Sequence, residues 1–540
     1  MNISRSLAIA ALAGGVQAAL AQAVPGTVDP GQLGREIRPP PAPRVQPEVP
    51  RAQPPVLRET APTGPEFRVD AVRLEGNTVL SAEALRPAYA ELVGKTVHLG
   101  DLEQAADRMT AQYRNAGYLL AQVVVPAQSL GDGGVRFQVF EGHVDSAVYQ
   151  GEQVPAAVRD YVQKIIDARP LTAAVLERYL LLINDIPGVT ARAALGPSPS
   201  TPGAAELTLV VGTQRWSGDV GVDNRLTRSL GHARVLAGVQ LANAWLSQER
   251  FSARLIESDD DRLTIGSLGW EQAWGAEGFK TNLTLGAVRT RPDLALAQTS
   301  SSRSLDAGAA YPLLRSRERN VYLRATLSVL NSRAALEEGG GVLFDDHVRA
   351  LRLGLNADAA DAFGGVNLVD VEASQGLGGR GGAPASRANA DTRFTKLTLF
   401  ASRLQALAPR VSVLLAFNGQ ATGDTLFSSE QFGAGGDAFL RAFDPSELIG
   451  DRGWAAKLEL RFVPRDDAMA YAFYDHARVS NAAPEQAILN GASAATAGLG
   501  ARYAAGALNA FIEAAKPLRR DVAAEGDRKA RLFAGIRYSF

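Results

Sequence analysis

Residues 531–540 read Arg-Leu-Phe-Ala-Gly-Ile-Arg-Tyr-Ser-Phe, and the chain's architecture turns on how this stretch is read. Side chains alternate across a β-strand, so Leu532, Ala534, Ile536, Tyr538 and Phe540 share one face. Phe533, Gly535, Arg537 and Ser539 share the other. The same period of two recurs upstream. Val321, Leu323, Ala325, Leu327 and Val329 oppose Tyr322, Arg324, Thr326 and Ser328; Leu351, Leu353, Leu355 and Ala357 oppose Arg352, Gly354 and Asn356. Ala456, Leu458, Leu460 and Phe462 oppose Lys457, Glu459 and Arg461. From residue 213 onward about sixteen such segments are separated by Gly-, Asp- and Asn-rich turns. A soluble sandwich also alternates, but its apolar faces pack on each other. A lipid-facing barrel alternates apolar-out and polar-in around its whole circumference, in strands of about ten residues. Roughly 330 residues fit about sixteen strands at about 20 residues per strand and connection. Closure also pairs every strand edge, which hydrocarbon demands. The reading is an antiparallel transmembrane β-barrel over 213–540.

The other end of the chain supplies the compartment. Arg5 precedes the apolar run LAIAALAGGVQAAL and then Ala19-Leu20-Ala21, a small-x-small site, so residues 1–21 read as an export signal cleaved after Ala21. No stretch of about 20 consecutive apolar residues follows, so a spanning helix is not expected. A strand ending on Phe540, with Tyr538 two residues earlier, resembles the signal read by the outer-membrane barrel-assembly machinery. That places the chain in a bacterial outer membrane, in contact with its lipid.

Lys plus Arg (56) nearly balances Asp plus Glu (57), so no global basic field points to nucleic acid. Cysteine is absent, which excludes disulfides, Cys-ligated metal and a thiol nucleophile. The five histidines (His98, His143, His232, His347, His476) are scattered without metal-ligand spacing. Gly376-Leu377-Gly378-Gly379-Arg380-Gly381 matches G-x-G-x-x-G, but Ala383-Pro384-Ala385-Ser386 follows it as loop and opens no helix, so a turn is expected and no dinucleotide site. Neither enzyme, cofactor nor metal is expected.

Between signal and barrel lie three parts. Residues 22–65 hold a short helix at 29–38, with Asp29 as N-cap and Pro30 at the first helical position, followed by a proline-rich spacer. Its roughly 27 residues at about 3.1 Å each reach some 80 Å, ample for a bilayer core of about 30 Å. Residues 66–142 open with FRVDAVRLEG, a strand that places Val69, Ala71 (or Val72) and Leu74 near a core. A helix capped by Ser81, with Glu83 behind it, follows. A second helix runs over DLEQAADRMTAQYRNAG, with Asp101 as cap, Gly117 as stop and Leu102, Ala105, Ala106, Met109 and Tyr113 on one face. LLAQVVVPAQ and GVRFQVFEG read as strands joined by the Gly131–Gly134 turn. Residues 143–212 repeat the order: strand VDSAVYQG, helices VPAAVRDYVQKIID and TAAVLERYLLLIND, strands VTARAALG and AELTLVVG. The α+β unit is β-α-α-β-β, twice.

Residues 428–462 read SSEQFGAGGDAFLRAFDPSELIGDRGWAAKLELRF. This resembles the transporter half of two-partner secretion systems, which exports and activates filamentous adhesins and haemolysins. In that family a long loop folds back into the barrel lumen with a V-R-G-Y/F-type tip. Here the loop spans about 421–453 and the tip is Leu440-Arg441-Ala442-Phe443 after Gly435-Gly436, with alanine where the family has glycine. The family's inner-wall motif F-x-D-x-G corresponds to Phe473-Tyr474-Asp475-His476-Ala477, again with alanine for glycine, and Asp223-Asn224 after the first barrel strand also resembles the family. The resemblance implies an N-terminal plug helix, two periplasmic modules of the POTRA type and a sixteen-stranded barrel. It implies further that Arg441 meets Asp475 and Phe473 on the inner wall. The physics agrees: Phe473 and Asp475 share strand parity, and a guanidinium fork suits a carboxylate. The function implied is a pore that takes a partner exoprotein from its POTRA-type domains to the cell surface. The alternative is an assembly factor of the same superfamily that inserts other barrels; such factors usually carry more than two modules.

Overall fold

A computed structural model describes residues 24–37, 42–44, 66–129, 132–151, 153–379, 383–482 and 492–540. The export signal at 1–21, most of the proline spacer, Gly131 and Arg380-Gly381 lie outside the described residues. Gly376 ends a barrel strand, and no helix begins between it and the next strand at Thr395 among the described residues.

Each N-terminal module is a three-stranded sheet covered by helices. In the first, Gly134–Phe140 is the middle strand, parallel to Ala71–Glu75 and antiparallel to Gln122–Val124. In the second, Ala205–Thr213 lies between Val144–Gln150 and Val189–Pro197 with the same sense of pairing. The last strand of each module thus inserts between the earlier two. The helix Leu99–Asn115 buries Leu102, Ala105, Ala106, Met109 and Tyr113, the stripe read from its spacing. Its start differs from the expectation. His98 is the N-cap and Asp101 lies one turn in, where its carboxylate accepts the His98 N–H at 2.8 Å. An acidic group at the third helical position serves an orphan N–H as well as a cap does. Gly117 does end the helix, in the left-handed region at φ +96°. The helix capped by Ser81 is a single α-turn, Ala82–Leu85, continued by 3-10 turns because Pro87 interrupts the ladder. The opening stretch is not one strand: Phe67–Arg68 and Ala71–Glu75 join different sheets, with Val69 buried between them and Leu74 half-buried, and of the two alternatives Val72 turns inward and Ala71 is exposed.

Sixteen strands from Trp216–Asp223 to Arg531–Ser539 close into one antiparallel barrel. Leu323, Leu327, Leu353, Leu458 and Leu460 are exposed, while Arg352 and Glu459 are buried. The barrel is therefore apolar outside and polar inside, the inverse of a soluble core. At the seam the last strand pairs with the first from Gly535↔Asp223 to Ser539↔Asp219. The Phe540 N–H donates to the Gly218 carbonyl at 2.9 Å, the Phe540 carbonyl accepts from the Gly218 N–H at 2.8 Å, and the Phe540 ring meets Trp216 edge-on at 5.6 Å. Asn224 prolongs the seam as a strand would: its Oδ1 accepts the Ala534 N–H and its Nδ2 donates to the Leu532 carbonyl.

The second module is fastened to the barrel's periplasmic turns. Asp185 takes Arg315 in a two-pronged pair at 2.8 and 2.9 Å, and Glu277 receives Lys164 and the Tyr179 hydroxyl at 3.0 and 3.1 Å. Tyr161 donates to Gln248, and Ala276 of a barrel turn belongs to the module's own apolar core.

Candidate functional site in the barrel lumen

Residues 423–451 leave the wall at Thr422 and return to it at Arg452, folding inward. A short hairpin, Phe432–Ala434 against Leu448–Gly450, stiffens the excursion. Gly435, at φ +130°, lets the chain turn where a Cβ would lie 2.0 Å from the Asp444 carbonyl oxygen; Gly436 beside it is also left-handed. The tip that follows, Leu440-Arg441-Ala442-Phe443, is buried throughout.

Arg441 is 1% exposed. Its Nε and Nη2 each lie 3.0 Å from the Asp475 carboxylate, and its own backbone N–H donates to the same group at 3.2 Å. Nη1 pairs with Glu459, and Glu513 stands 3.5 Å away. The guanidinium lies 3.5 Å over the Phe473 ring. One arginine therefore meets three wall carboxylates and an aromatic face, from three different strands. Further cations share the acids: Arg461 and Arg502 reach Glu459, and Arg225 reaches Glu513 at 2.7 Å. Such a network is poor evidence of net stability, yet it fixes one loop position against the wall. Glycine makes room for it. A Cβ at Gly498 would fall 2.4 Å from the Phe473 ring, and one at Gly500 would fall 2.3 Å from Tyr471. Both rings can then lie along the wall beneath the guanidinium.

Sequence reasoning singled out Arg441, Asp475 and Phe473, which the structure brings together. It missed Glu459, Glu513, Gly498 and Gly500. Ala442 and Ala477 are both fully buried in the cluster around the tip, so each methyl group is accommodated where the family has glycine. Arg531 of the last strand holds the tip as well, bonding Asp444 at 2.7 Å and the Ala442 carbonyl at 2.9 Å. Tyr538 and Phe540 are not part of this site; both face outward at the seam.

The base of the loop carries a second contact set. Asp29 caps the helix Pro30–Leu33, as read from the sequence, and also accepts the Ser428 hydroxyl at 2.6 Å. Gln32 donates to the Gln431 carbonyl at 3.2 Å, and Arg35 to the same oxygen at 2.7 Å. Gly31 packs so closely that a Cβ would lie 2.5 Å from that of Ser429. The segment also touches the inner wall: Ser302 donates to the Pro30 carbonyl, and Val28 and Leu33 pack with Ile256, Ile265 and Val288. Arg44 lies toward the periplasmic mouth, 4.1 Å over Tyr322. Residues 24–37 thus lie in the lumen docked on the loop, and residues 42–44 lie on the wall nearer its periplasmic mouth. The loop itself is anchored where Glu430 receives Arg352 and Lys396, both at 2.6 Å.

A closed, lipid-facing barrel with an inserted loop and two periplasmic α+β modules defines an outer-membrane transporter. The sequence profile described as haemolysin secretion/activation protein ShlB/FhaC/HecB matches residues 206–503, and the POTRA domain of ShlB type matches 67–142. The chain belongs to that haemolysin secretion/activation family. It is 23% identical over 532 residues to the heme/hemopexin transporter protein HuxB of Haemophilus influenzae strain 86-028NP, covering 92% of each chain. It is 23% identical to the outer membrane transporter CdiB of Escherichia coli, over 74% of this chain and 69% of that one. The solved structure of CdiB from Escherichia coli superposes with a TM-score of 0.73 at 18% identity, covering 92% of this chain and 94% of that one. BamA from Haemophilus ducreyi lacking POTRA domains 1–3 gives 0.50 at 14% identity, over 88% and 100%. These two show a shared fold. The protein is an outer-membrane pore that secretes a partner exoprotein captured in the periplasm; the match to the secretion family favours this over the barrel-insertion alternative.

Proposed function

We propose that the lumen loop and the N-terminal segment form one closure, latched by Arg441, which withdraws to pass the partner. The observation that carries this reading is the double docking of the loop: its tip on Asp475, Glu459 and Glu513, and its base on Asp29, Gln32 and Arg35. The partner is held extended along a module edge before entry. Val189–Pro197 pairs with one strand only among the described strands; Asn184 takes both backbone groups of Ala191 on its other side, and the stretch Ala193–Leu195 beyond it is left to an added strand. The barrel-assembly machinery takes the chain to the membrane through the strand ending in Tyr538 and Phe540. The role is conduction, with no catalytic step, cofactor or metal.

The test uses the absence of native cysteine. Asp29→Cys combined with Ser428→Cys joins two side chains whose oxygens now lie 2.6 Å apart. Oxidation is expected to stop secretion into the medium and reductant to restore it, while each single variant secretes. Undiminished secretion through a verified crosslink would remove the closure reading.

A further inference from the structure

Outside the lumen, the outward face carries a cationic patch that secretion through the pore does not use. Above the end fastened to the second module, the outward row of the strand Gln298–Arg315 runs Leu313, Tyr311, Ala309, Ala307 and Leu305. It then changes abruptly to Arg303 and Ser301. The neighbouring strands change at the same level. Phe279–Thr290 passes from Leu283, Leu285 and Ala287 to Arg289, and Arg319–Leu336 passes from Leu327 and Val329 to Asn331 and Arg333. Register sets these residues side by side: Ala287↔Arg303↔Asn331↔His347 in one row, and Arg289↔Ser301↔Arg333↔Asp345 in the next. Arg303 is thus the diagonal neighbour of both Arg289 and Arg333, a separation of about 7–8 Å between positions.

All three arginines are exposed, and among the described residues none has an ion pair or a side-chain hydrogen bond. Other arginines on this rim do: Arg291 pairs with Glu337 at 3.1 Å and Arg262 with Asp293 at 3.3 Å. Asp345 faces Arg333 across the strands but is engaged by His347 at 3.5 Å. The two rows hold three arginines against one carboxylate, Asp345, and the surplus like charges at diagonal spacing are offset by an anion lying between them. The strip is also the upper border of the lipid-facing band. The apolar stretch from Leu305 to Leu313, at about 3.3 Å per residue and a strand tilt near 40°, rises about 20 Å, comparable with the band of about 25 Å found in such barrels.

We infer that Arg289, Arg303 and Arg333 bind the phosphate groups of an outer-leaflet phosphorylated glycolipid whose acyl chains lie on Leu285, Leu305 and Leu327. Guanidinium forks suit phosphate oxygens bidentately, and long stems let the heads reach the headgroup layer from the border of the apolar band. The inference rests on the outer-membrane placement of the chain and is independent of the Arg441 latch.

The purified full chain in detergent, incubated with bisphosphorylated lipid A and analysed by native mass spectrometry, provides the test. Wild type is expected to retain the lipid. Arg289→Gln/Arg303→Gln/Arg333→Gln is expected to bind it at least tenfold more weakly, and Arg262→Gln/Arg291→Gln as wild type does. Dephosphorylated lipid A should bind wild type no better than the triple variant binds the phosphorylated form. Equal retention by the triple variant, or of the dephosphorylated lipid, overturns the site; displacement by equimolar inorganic phosphate overturns its assignment to a lipid. Heat-modifiable migration shows whether the triple variant folds. If it does not, the two lipid forms compared on wild type decide the question alone.

Discussion

Arg441 has three acidic neighbours, and that number governs what its removal does. Glu459 keeps Arg461 and Arg502, and Glu513 keeps Arg225, but Asp475 has no other ion pair among the described residues. Arg441→Ala therefore strands one carboxylate, at about 1–3 kcal/mol where the lumen stays partly wet, and frees the tip. Asp475→Ala leaves Arg441 two acids and should impair secretion less. The double variant removes the stranded charge and should secrete no worse than Arg441→Ala, because both residues serve one docked state. Partner protein in the medium, normalised to folded barrel, measures all three; strictly additive losses would separate the two residues. Arg441→Lys should recover little, since an ammonium cannot span three acids as a planar fork does. Phe540 supports a second expectation. Its deletion removes two seam hydrogen bonds and the Trp216 contact, and should lower the amount of heat-modifiable barrel in outer membranes. Parity along 471–477 made Phe473 and Asp475 legible as one inward face, and the resemblance supplied Arg441. Glu459 was legible as inward, opposite Leu458 and Leu460, but its place beside Phe473 depends on register, which no single strand encodes. Gly498 and Gly500 read as weak strand residues until the rings that lie on them are known.

Short polar elements were harder to place than long periodic ones. The segment 29–38 announced its helix through Asp29 and Pro30, yet nothing local says that its partners lie some 400 residues away at Ser428 and Gln431. That docking gives a point test. Gly31→Val must push against Ser429, so channels in planar bilayers should open more often and conduct more, as should a deletion of 22–40. Unchanged conductance in both would mean that the segment does not obstruct the pore. In the first module the cap of the second helix is His98 and not Asp101, because orphan backbone groups in this module are shared among several side chains. Glu141 is one such side chain. Burial alone pushes its carboxyl up, but the Thr78 hydroxyl, the Val79 and Thr78 amides and the Tyr113 hydroxyl outweigh burial and hold it below the ordinary 4.5. The folded state thus favours the carboxylate. Its stabilisation is complete above about pH 4.5 and is lost as pH falls through the lowered value. Hydrogen exchange over 66–142 in the full chain, corrected for intrinsic rates, should show this loss below pH 4.5. Glu141→Gln should be less protected at neutral pH and nearly flat across the window.

The repeat of two modules suggests interchangeable parts, but the assembled molecule treats them differently. The first module touches its neighbour, where Ala173 N–H donates to the Gly117 carbonyl and Leu171 N–H to that of Gly142. The second is continuous with the barrel in both polar and apolar senses. Its Asp185 neutralises Arg315, which is 6% exposed, and its core includes Ala276 from a barrel turn. Removing the second module strips Arg315 of its acid, Asp185, and Glu277 of Lys164 and Tyr179, and uncovers an apolar turn, so the damage falls on the barrel itself. Removing the first exposes only the far side of the second. The two deletions should therefore separate two quantities. Deletion of 66–142 should leave heat-modifiable barrel near wild-type amounts and abolish secretion, because half of the periplasmic capture surface is gone. Deletion of 143–212 should lower barrel yield severalfold and make the remainder migrate as unfolded at a lower temperature. Asp185→Ala, which leaves Arg315 buried beside Asn320 and Tyr322, should reproduce part of that thermal loss without removing any strand. Equal barrel yields from both deletions would show that the second module is a passenger on the barrel, and the contacts of Asp185, Glu277 and Tyr161 would then have to be explained by capture alone.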